Sequence, residues 1–203
     1  MKNTAVQQRS KLLIALVLGI LLTGCGVSST NLRLDEVNSF IRDRSKGFFQ
    51  EAEVGNFTVE LMYLPPAAQV HAHMESGEVK EPKQLFKDFE GLVNLSLRMK
   101  HKSNTPFDDL VNDGSGDKLA YLIGSIAEQL HIEYGDSTAN CLFHHFERDY
   151  GLSPYGVVNM AFKRPSAETE KFVFVYDDIL FDMGPIRFHV PLKKLDESFN
   201  LSY

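Results

Sequence analysis

Apolar and polar residues alternate over several short segments of the chain, a pattern typical of β-strands with one buried face. The alternation is clearest from Phe57 to Tyr63 and from Leu92 to Lys100. Turn residues lie between these segments at regular intervals along the chain. Four further strands are predicted in the second half of the chain, at Asn140–Phe146, Val157–Phe162, Phe172–Tyr176 and Pro185–Val190.

Two of these segments carry additional information about their position in a sheet. Val54-Gly55-Asn56 is a turn sequence, so residues 46–63 are predicted to form a hairpin whose first strand begins near Phe48. The segment Phe172–Tyr176 is apolar at every position. A strand that is apolar on both faces is expected at the centre of a sheet, where both faces are covered.

Helical spacing of apolar residues predicts several short helices. They are expected within residues 35–44, from Pro66 to about Glu75, from Pro82 onward, and from Pro106 to about Asn112, with proline at the first helical position of the last three. The longest apolar stripe predicts a further helix and consists of Leu119, Leu122, Ile123, Ile126 and Leu130.

These elements predict an α+β fold that is mainly antiparallel β. We expect either a curved sheet or a β-sandwich, with a few short helices packed on it. The length from residue 35 to residue 203 suits a single globular domain with a proper hydrophobic core.

The first 25 residues carry the signature of a secreted, lipid-modified protein. Lys2, Arg9 and Lys11 precede an apolar run, Leu12–Leu22, which is too short to span a bilayer. The run leads into Leu22-Thr23-Gly24-Cys25, a lipobox. This segment resembles bacterial lipoprotein precursors, and the resemblance implies attachment of diacylglycerol to the Cys25 sulfur, followed by cleavage between Gly24 and Cys25.

Processing of this kind divides the chain into three parts. Residues 1–24 are expected to be removed, residues 25–34 form a lipidated cysteine with a short tether, and residues 35–203 form the domain. Gly26 follows the cysteine where enteric lipoproteins retained in the inner membrane carry aspartate, so the resemblance favours the outer membrane. The alternative is an ordinary signal peptide cut elsewhere, with Cys25 a passive thiol.

Charge and cysteine content narrow the range of partners. The segment to be removed carries three basic residues and no acidic one, so the net charge of −6 becomes −9 in the mature chain. Such an acidic surface argues against a nucleic-acid partner. The sequence predicts no cofactor.

With Cys25 lipidated, Cys141 has no partner for a disulfide and is expected to be a buried small apolar residue. The expected partners are membrane lipid, through Cys25, and an envelope protein or small ligand.

Two histidine clusters are weak candidates for a metal site. The first contains His71 and His73, which diverge if the segment is helical. The second contains His144, His145 and Glu147, of which the last two share one face of a strand. Metal sites need three or four convergent ligands, and neither cluster supplies them alone. Hydrogen-bonded polar residues on a sheet are the simpler interpretation.

The mature domain contains two stretches, residues 141–152 and 177–184, that are similar to those of small uncharacterised lipoproteins of Gram-negative bacteria. That resemblance implies no activity. Because no catalytic motif is recognisable, the leading hypothesis is a non-enzymatic, lipid-anchored binding or assembly module of the cell envelope. The alternative is an envelope metal-dependent enzyme, or a metal-binding protein, that uses the histidine clusters.

The anchor can be tested with Cys25→Ala. A protein held by a diacylglyceryl cysteine should lose its membrane attachment with that sulfur, since two or more acyl chains are what make anchoring stable. We expect the variant to take up no fatty-acid analogue and to move to the soluble fraction. A variant that stays labelled and membrane-bound would contradict the lipobox.

Overall fold

The structure is a computed structural model that describes residues 30–32, 36–75, 81–112 and 114–201. The segment predicted to be removed, residues 1–24, and the lipidation site Cys25 lie outside the described residues. The side chains of Thr30–Leu32, Glu75 and Phe199–Leu201 are likewise outside what is described. The described residues from 36 onward belong to the predicted domain, and Thr30–Leu32 lie in the predicted tether.

Ten strands are present among the described residues. They are β1 (Thr30–Leu32), β2 (Phe49–Val54), β3 (Phe57–Leu64), β4 (Leu92–His101), β5 (Leu130–Tyr134), β6 (Ser137–Glu147), β7 (Tyr155–Lys163), β8 (Phe172–Asp178), β9 (Gly184–Val190) and β10 (Phe199–Leu201). Eight of them form one antiparallel sheet in the order β2-β3-β4-β7-β6-β5-β8-β9. The remaining two, β1 and β10, pair in parallel.

The large sheet is curved until its two edges almost meet. The side-chain amide of Gln50 in β2 donates to the carbonyl of His189 in β9 at 2.9 Å, although the two residues are 139 positions apart. These strands are the first and the last of the sheet order. The sheet therefore encloses an interior of its own rather than packing on a second sheet.

Short helices occupy the connections between strands. They are α1 (Val37–Arg42), α2 (Pro66–Glu75), α3 (Pro82–Glu90), α4 (Phe107–Val111), α5 (Asp117–Gly124) and α6 (Leu192–Ser198), with 3₁₀ turns at Arg44–Lys46 and Ile126–Gln129. None of the helices in the described part of the chain combines the length and the hydrophobicity that a membrane span requires.

Apolar side chains fill the interior of the sheet. Register pairs Leu61 with Leu97, and Leu97 with Val158, so that three neighbouring strands place apolar residues side by side. All three side chains are essentially inaccessible to solvent. Because the interior is lined largely by apolar side chains, polar side chains that could meet a ligand are expected on the outer face or at the ends of the sheet.

One end of the sheet is closed by aromatic side chains. The Phe107 ring of α4 lies 6.1 Å from Phe146 and 5.7 Å from Phe181, and Phe181 lies 4.7 Å from Phe57. Gly156 of β7 provides the space for the Phe107 ring, because a Cβ there would overlap the ring. The close approach explains why glycine occupies the second position of this strand.

The loop between β8 and β9 is anchored at the same end by Asp178. Its carboxylate accepts the backbone N–H groups of Leu180, Phe181 and Met183 at 2.9–3.1 Å. The Tyr176 hydroxyl donates to it as well, at 2.8 Å. Asp178 is buried, and these four donors compensate the removal of its charge from water.

The opposite end of the sheet is held by a polar contact to α6. Tyr63 donates from its hydroxyl to Asp196 at 2.6 Å, and Arg164 forms an ion pair with the same carboxylate. Leu192 and Leu195 of α6 are buried against the core. Burial raises the pKa of the Tyr63 hydroxyl above its ordinary value, so the tyrosine stays a hydrogen-bond donor.

The sequence-based fold class is confirmed, and the curved sheet is the form found rather than the sandwich. The predicted hairpin is the β2–β3 pair. The helix predicted from Pro66 to about Glu75 is α2, and the four strands predicted after residue 139 are β6 to β9 with slightly wider limits.

Two expectations were wrong. The stripe from Leu119 to Leu130 is not one helix: α5 ends at Gly124, Ile123 is 53% exposed, and Leu130 begins β5. Leu130, Ile132 and Tyr134 also alternate, and the pairing of this segment with both β6 and β8 decides in favour of the strand. In addition, the apolar segment Phe172–Tyr176 lies in β8, which is second from the edge of the sheet rather than central.

Gly156→Ala is predicted to destabilise the domain by about 1–3 kcal/mol, because the added methyl group overlaps the Phe107 ring. Urea unfolding of the purified protein measures the loss. Gly91→Ala is the control, since nothing lies within 4 Å of a Cβ at that position. Introducing Phe107→Leu beforehand should reduce the cost of Gly156→Ala, and an unchanged cost would show that the ring is not responsible.

Candidate functional site

A cavity of about 580 Å³ lies on the outer face of the large sheet. Its floor is formed by the outward-facing residues of β3, β4 and β7. Arg42 of α1 and Gln69 of α2 line it on the side of β3, and Phe143 and Glu147 line it on the side of β6. A second, smaller cavity between α1, α2 and β3 shares Arg42 and Gln69 with it.

The floor is polar because strand register brings four polar side chains together. Ser96 of β4 is paired with Asn159 of β7, and Asn94 is paired with Ala161 one step further along the same face. Ser96 is only 4% exposed even though it points away from the sheet interior. Asn94, Ser96, Arg98 and Asn159 therefore offer hydrogen-bond donors and acceptors in a partly enclosed space.

An ion pair lies at one margin of this floor. Nη1 of Arg98 is 3.0 Å from Oε2 of Glu60, whose side chain is only 8% exposed. That oxygen makes no hydrogen bond of regular geometry, so the contact is chiefly one of charge. The guanidinium also lies over the ring of Tyr155, 4.0 Å from its centre. Arg98 is thus fixed in place and its charge is compensated.

The wall on the side of β6 carries a carboxylate and an aromatic ring. The side-chain amide of Asn159 donates to Oε1 of Glu147. Phe143 is 63% exposed and follows a β-bulge between Cys141 and Phe143, which sets the direction of the residues beyond it. This contact uses one oxygen of Glu147, and the second oxygen can accept from another donor. The amide is neutral, so among the described residues it leaves the negative charge of Glu147 without a cation.

Two groups on the cavity lack partners within the described part of the chain. The exposed guanidinium of Arg42 has no acidic neighbour there. Nδ2 of Asn94 is buried and makes no hydrogen bond to any described residue. An unsatisfied buried amide costs about 1–3 kcal/mol, which is unusual where side chains serve packing alone. The Arg42 guanidinium is exposed to the cavity, whereas the Asn94 amide must turn to meet a ligand.

The histidines of the first metal candidate lie on α2. His71 is buried, whereas His73 is half-buried, with Nδ1 2.9 Å from the carbonyl oxygen of Gln69 and its ring 5.1 Å from that of Phe89. The helix is the one predicted, and it points the two rings in different directions. The burial of His71 and the contacts of His73 fit a role in packing this helix.

The second candidate lies on β6, where the strand divides its residues between two faces. Nε2 of His144 is 2.9 Å from the carbonyl oxygen of Ile123, on the side facing the interior. His145 and Glu147 face outward, and Glu147 contacts Asn159. Within the ranges that the structure describes, no group of three or more His, Cys, Asp or Glu side chains could hold a metal ion.

Cys141 is partly buried on the inner side of β6 and packs against the core. Its thiol lies 3.1 Å from the carbonyl oxygen of Phe143, to which it donates. Burial raises the pKa of the Cys141 thiol, so the reactive thiolate is disfavoured. This placement agrees with the expected role as a small apolar residue.

Sequence reasoning identified Glu147 but missed the rest of the cavity. The signal was present in part, since Asn94, Ser96 and Arg98 occupy the polar face of a clearly alternating strand. Their partners were not visible, because Arg42 and Asn159 are more than 50 residues away in the chain on either side. Only the sheet order brings these side chains together.

Arg98→Met is predicted to lower the free energy of unfolding by about 2 kcal/mol, because it leaves the buried Glu60 carboxylate without its cation. Arg44→Met is the matched control: Arg44 is 69% exposed and pairs with Glu51, the register partner of Glu60, so its loss should cost less than about 1 kcal/mol. Urea unfolding measures both. Adding Glu60→Gln to Arg98→Met should restore most of the stability, because no buried charge then remains unpaired.

Equal losses in Arg98→Met and Arg44→Met would contradict the assignment of Arg98 and Glu60 as a buried ion pair.

The chain was compared with protein-family models, with curated proteins and with solved structures. No family model matches it, and neither a curated protein nor a solved structure matches it significantly. The function of the cavity must therefore be argued from its own residues and geometry.

Proposed function

We propose that the protein is a non-enzymatic binding module of the cell envelope, anchored to a membrane through Cys25, that holds a small polar ligand in the cavity on its outer face. The observation that carries the proposal is the cavity itself, which has amide, hydroxyl and charged side chains on a rigid floor of paired strands. Ligand sites commonly combine a preformed cavity with a few well-placed polar groups.

The chemistry of the lining favours binding over catalysis. Apart from the Glu147 carboxylate, the polar side chains of the cavity are three amides, one hydroxyl and two guanidinium groups, and none of these is a ready nucleophile or general base. Glu147 is the carboxylate with a free oxygen, and the group next to it is the amide of Asn159. An arrangement of this kind recognises a ligand by hydrogen bonds without transforming it.

The anchor supports the same proposal by fixing where binding takes place. Thr30 begins β1, five positions after Cys25, so the intervening chain reaches at most about 18 Å. The strand β10, which pairs with β1, follows α6 directly and contacts α2, the helix that supplies Gln69 to the cavity wall. A lipidated Cys25 would therefore keep the cavity close to the membrane surface, with the outer membrane favoured.

The proposal is tested with the full chain in detergent and a library of amino acids, short peptides, sugars and simple amides. Saturation-transfer NMR detects compounds that bind. We expect hits with the wild type that disappear in Gln69→Trp, which places an indole in the cavity, and persist in Lys83→Trp on the exposed side of α3. Absence of hits, or hits that survive Gln69→Trp, would count against the cavity as the binding site.

A further inference from the structure

The two sides of the cavity carry opposite charges that remain available. Arg42 presents a guanidinium with no acidic partner among the described residues. Glu147 presents a carboxylate whose described partner is the neutral amide of Asn159. Between them, the charge of Arg98 is compensated by Glu60. A ligand lying across the floor would meet a cation at one end and an anion at the other.

The width of the floor between these two sides can be estimated from the sheet order. Arg42 shares the cavity lining with Met62 and Leu64 of β3, whereas Glu147 belongs to β6. The order β3-β4-β7-β6 places three strand spacings between them. At about 4.8 Å per spacing, β3 and β6 lie about 14 Å apart along the sheet, which is the width of the floor between the two sides.

An extended peptide matches both the opposite charges of Arg42 and Glu147 and the width of the floor between them. A chain with free termini is a zwitterion, with an ammonium group at one end and a carboxylate at the other. At 3.3–3.6 Å per residue, about four residues cover 14 Å. A single amino acid is too short to reach both sides, and a neutral sugar has no charges to place there.

The floor also matches the backbone of such a peptide. Peptide groups alternate N–H donors and C=O acceptors along their length. Ser96, Asn94 and Asn159 supply both kinds of partner, and the unsatisfied amide of Asn94 gains one once it turns toward the ligand. Arg42 would bind the carboxylate through two parallel hydrogen bonds, the geometry for which a guanidinium is suited.

We propose that the cavity binds a short peptide of about four residues with free termini, with its carboxylate at Arg42 and its ammonium group at Glu147. This inference rests on the proposed function, because it names the ligand class of the same cavity. Recognition then depends on the two termini and the backbone rather than on particular side chains.

The experiment uses isothermal titration calorimetry on the full chain in detergent. The probes are tetra-alanine, N-acetyl-tetra-alanine, tetra-alanine amide and a neutral tetrasaccharide. We expect tetra-alanine to bind, and capping either terminus to weaken binding about tenfold, because each cap removes one charge-assisted contact. The tetrasaccharide should bind more weakly than tetra-alanine.

Variants assign each terminus to one residue. In Arg42→Gln, tetra-alanine and its amide should bind equally, while the acetyl group still weakens binding. In Glu147→Gln, the free and the acetylated peptide should bind equally, while the amide still weakens binding. Arg44→Gln is the matched control, because Arg44 is two residues from Arg42 but pairs with Glu51 outside the cavity, and it should bind all probes as the wild type does.

The outcomes separate this inference from the proposed function. Equal binding of free and capped peptides, or a discrimination that Arg42→Gln and Glu147→Gln leave intact, overturns the peptide assignment. Binding of the tetrasaccharide alone, when it is abolished by Gln69→Trp, overturns the assignment and leaves the binding function standing. If neither these probes nor the library compounds bind, both fail.

Discussion

The near closure of one antiparallel sheet is the constraint on which the other features of this protein depend. Once the edge strands β2 and β9 come together, the inward-facing side chains form a single core that includes Leu61, Leu97 and Val158. Apolar side chains of this kind offer a polar ligand no hydrogen-bond partner. The polar chemistry is therefore found on the outer face, where the helices that follow β3 and precede β2 add a wall.

A rigid floor has consequences for recognition. The side chains that form the floor of the cavity stand on strands paired on both sides, and Arg98 is held by Glu60 and by the ring of Tyr155. Side chains that are already ordered lose little further entropy when a ligand binds. The buried ion pair contributes this order more than net stability, because the desolvation of its charges offsets much of their attraction.

Much of the architecture could be predicted from local sequence, and the exceptions have a common origin. The alternation in β3 and β4 and the turn at Gly55-Asn56 identified the first hairpin and the strand beside it. The segment from Leu119 to Leu130 satisfied a helical and a strand pattern at once near its end, and pairing with β6 and β8 decided its structure. Local periodicity is ambiguous for short apolar segments, and tertiary contacts resolve the ambiguity.

For the candidate site, the sequence pointed to individual residues, and the structure showed which of them lie together in one cavity. Glu147 was noted as one member of a weak histidine cluster, yet its partner is Asn159 and its neighbour across the cavity is Arg42. Such groupings depend on strand order, and a two-residue periodicity fixes which face a residue occupies but not which strand lies next to it.

By itself, the sequence determined the class of the fold, the polar face of β4 and the expectation of a lipid anchor at Cys25, because alternation, turns and a lipobox are local patterns. The tertiary structure alone decided that the sheet almost closes on itself, that the histidines point to different environments, and that Arg42, Asn94, Asn159 and Glu147 line one cavity. These outcomes depend on contacts between residues far apart in the chain, and local sequence patterns carry no information about such contacts.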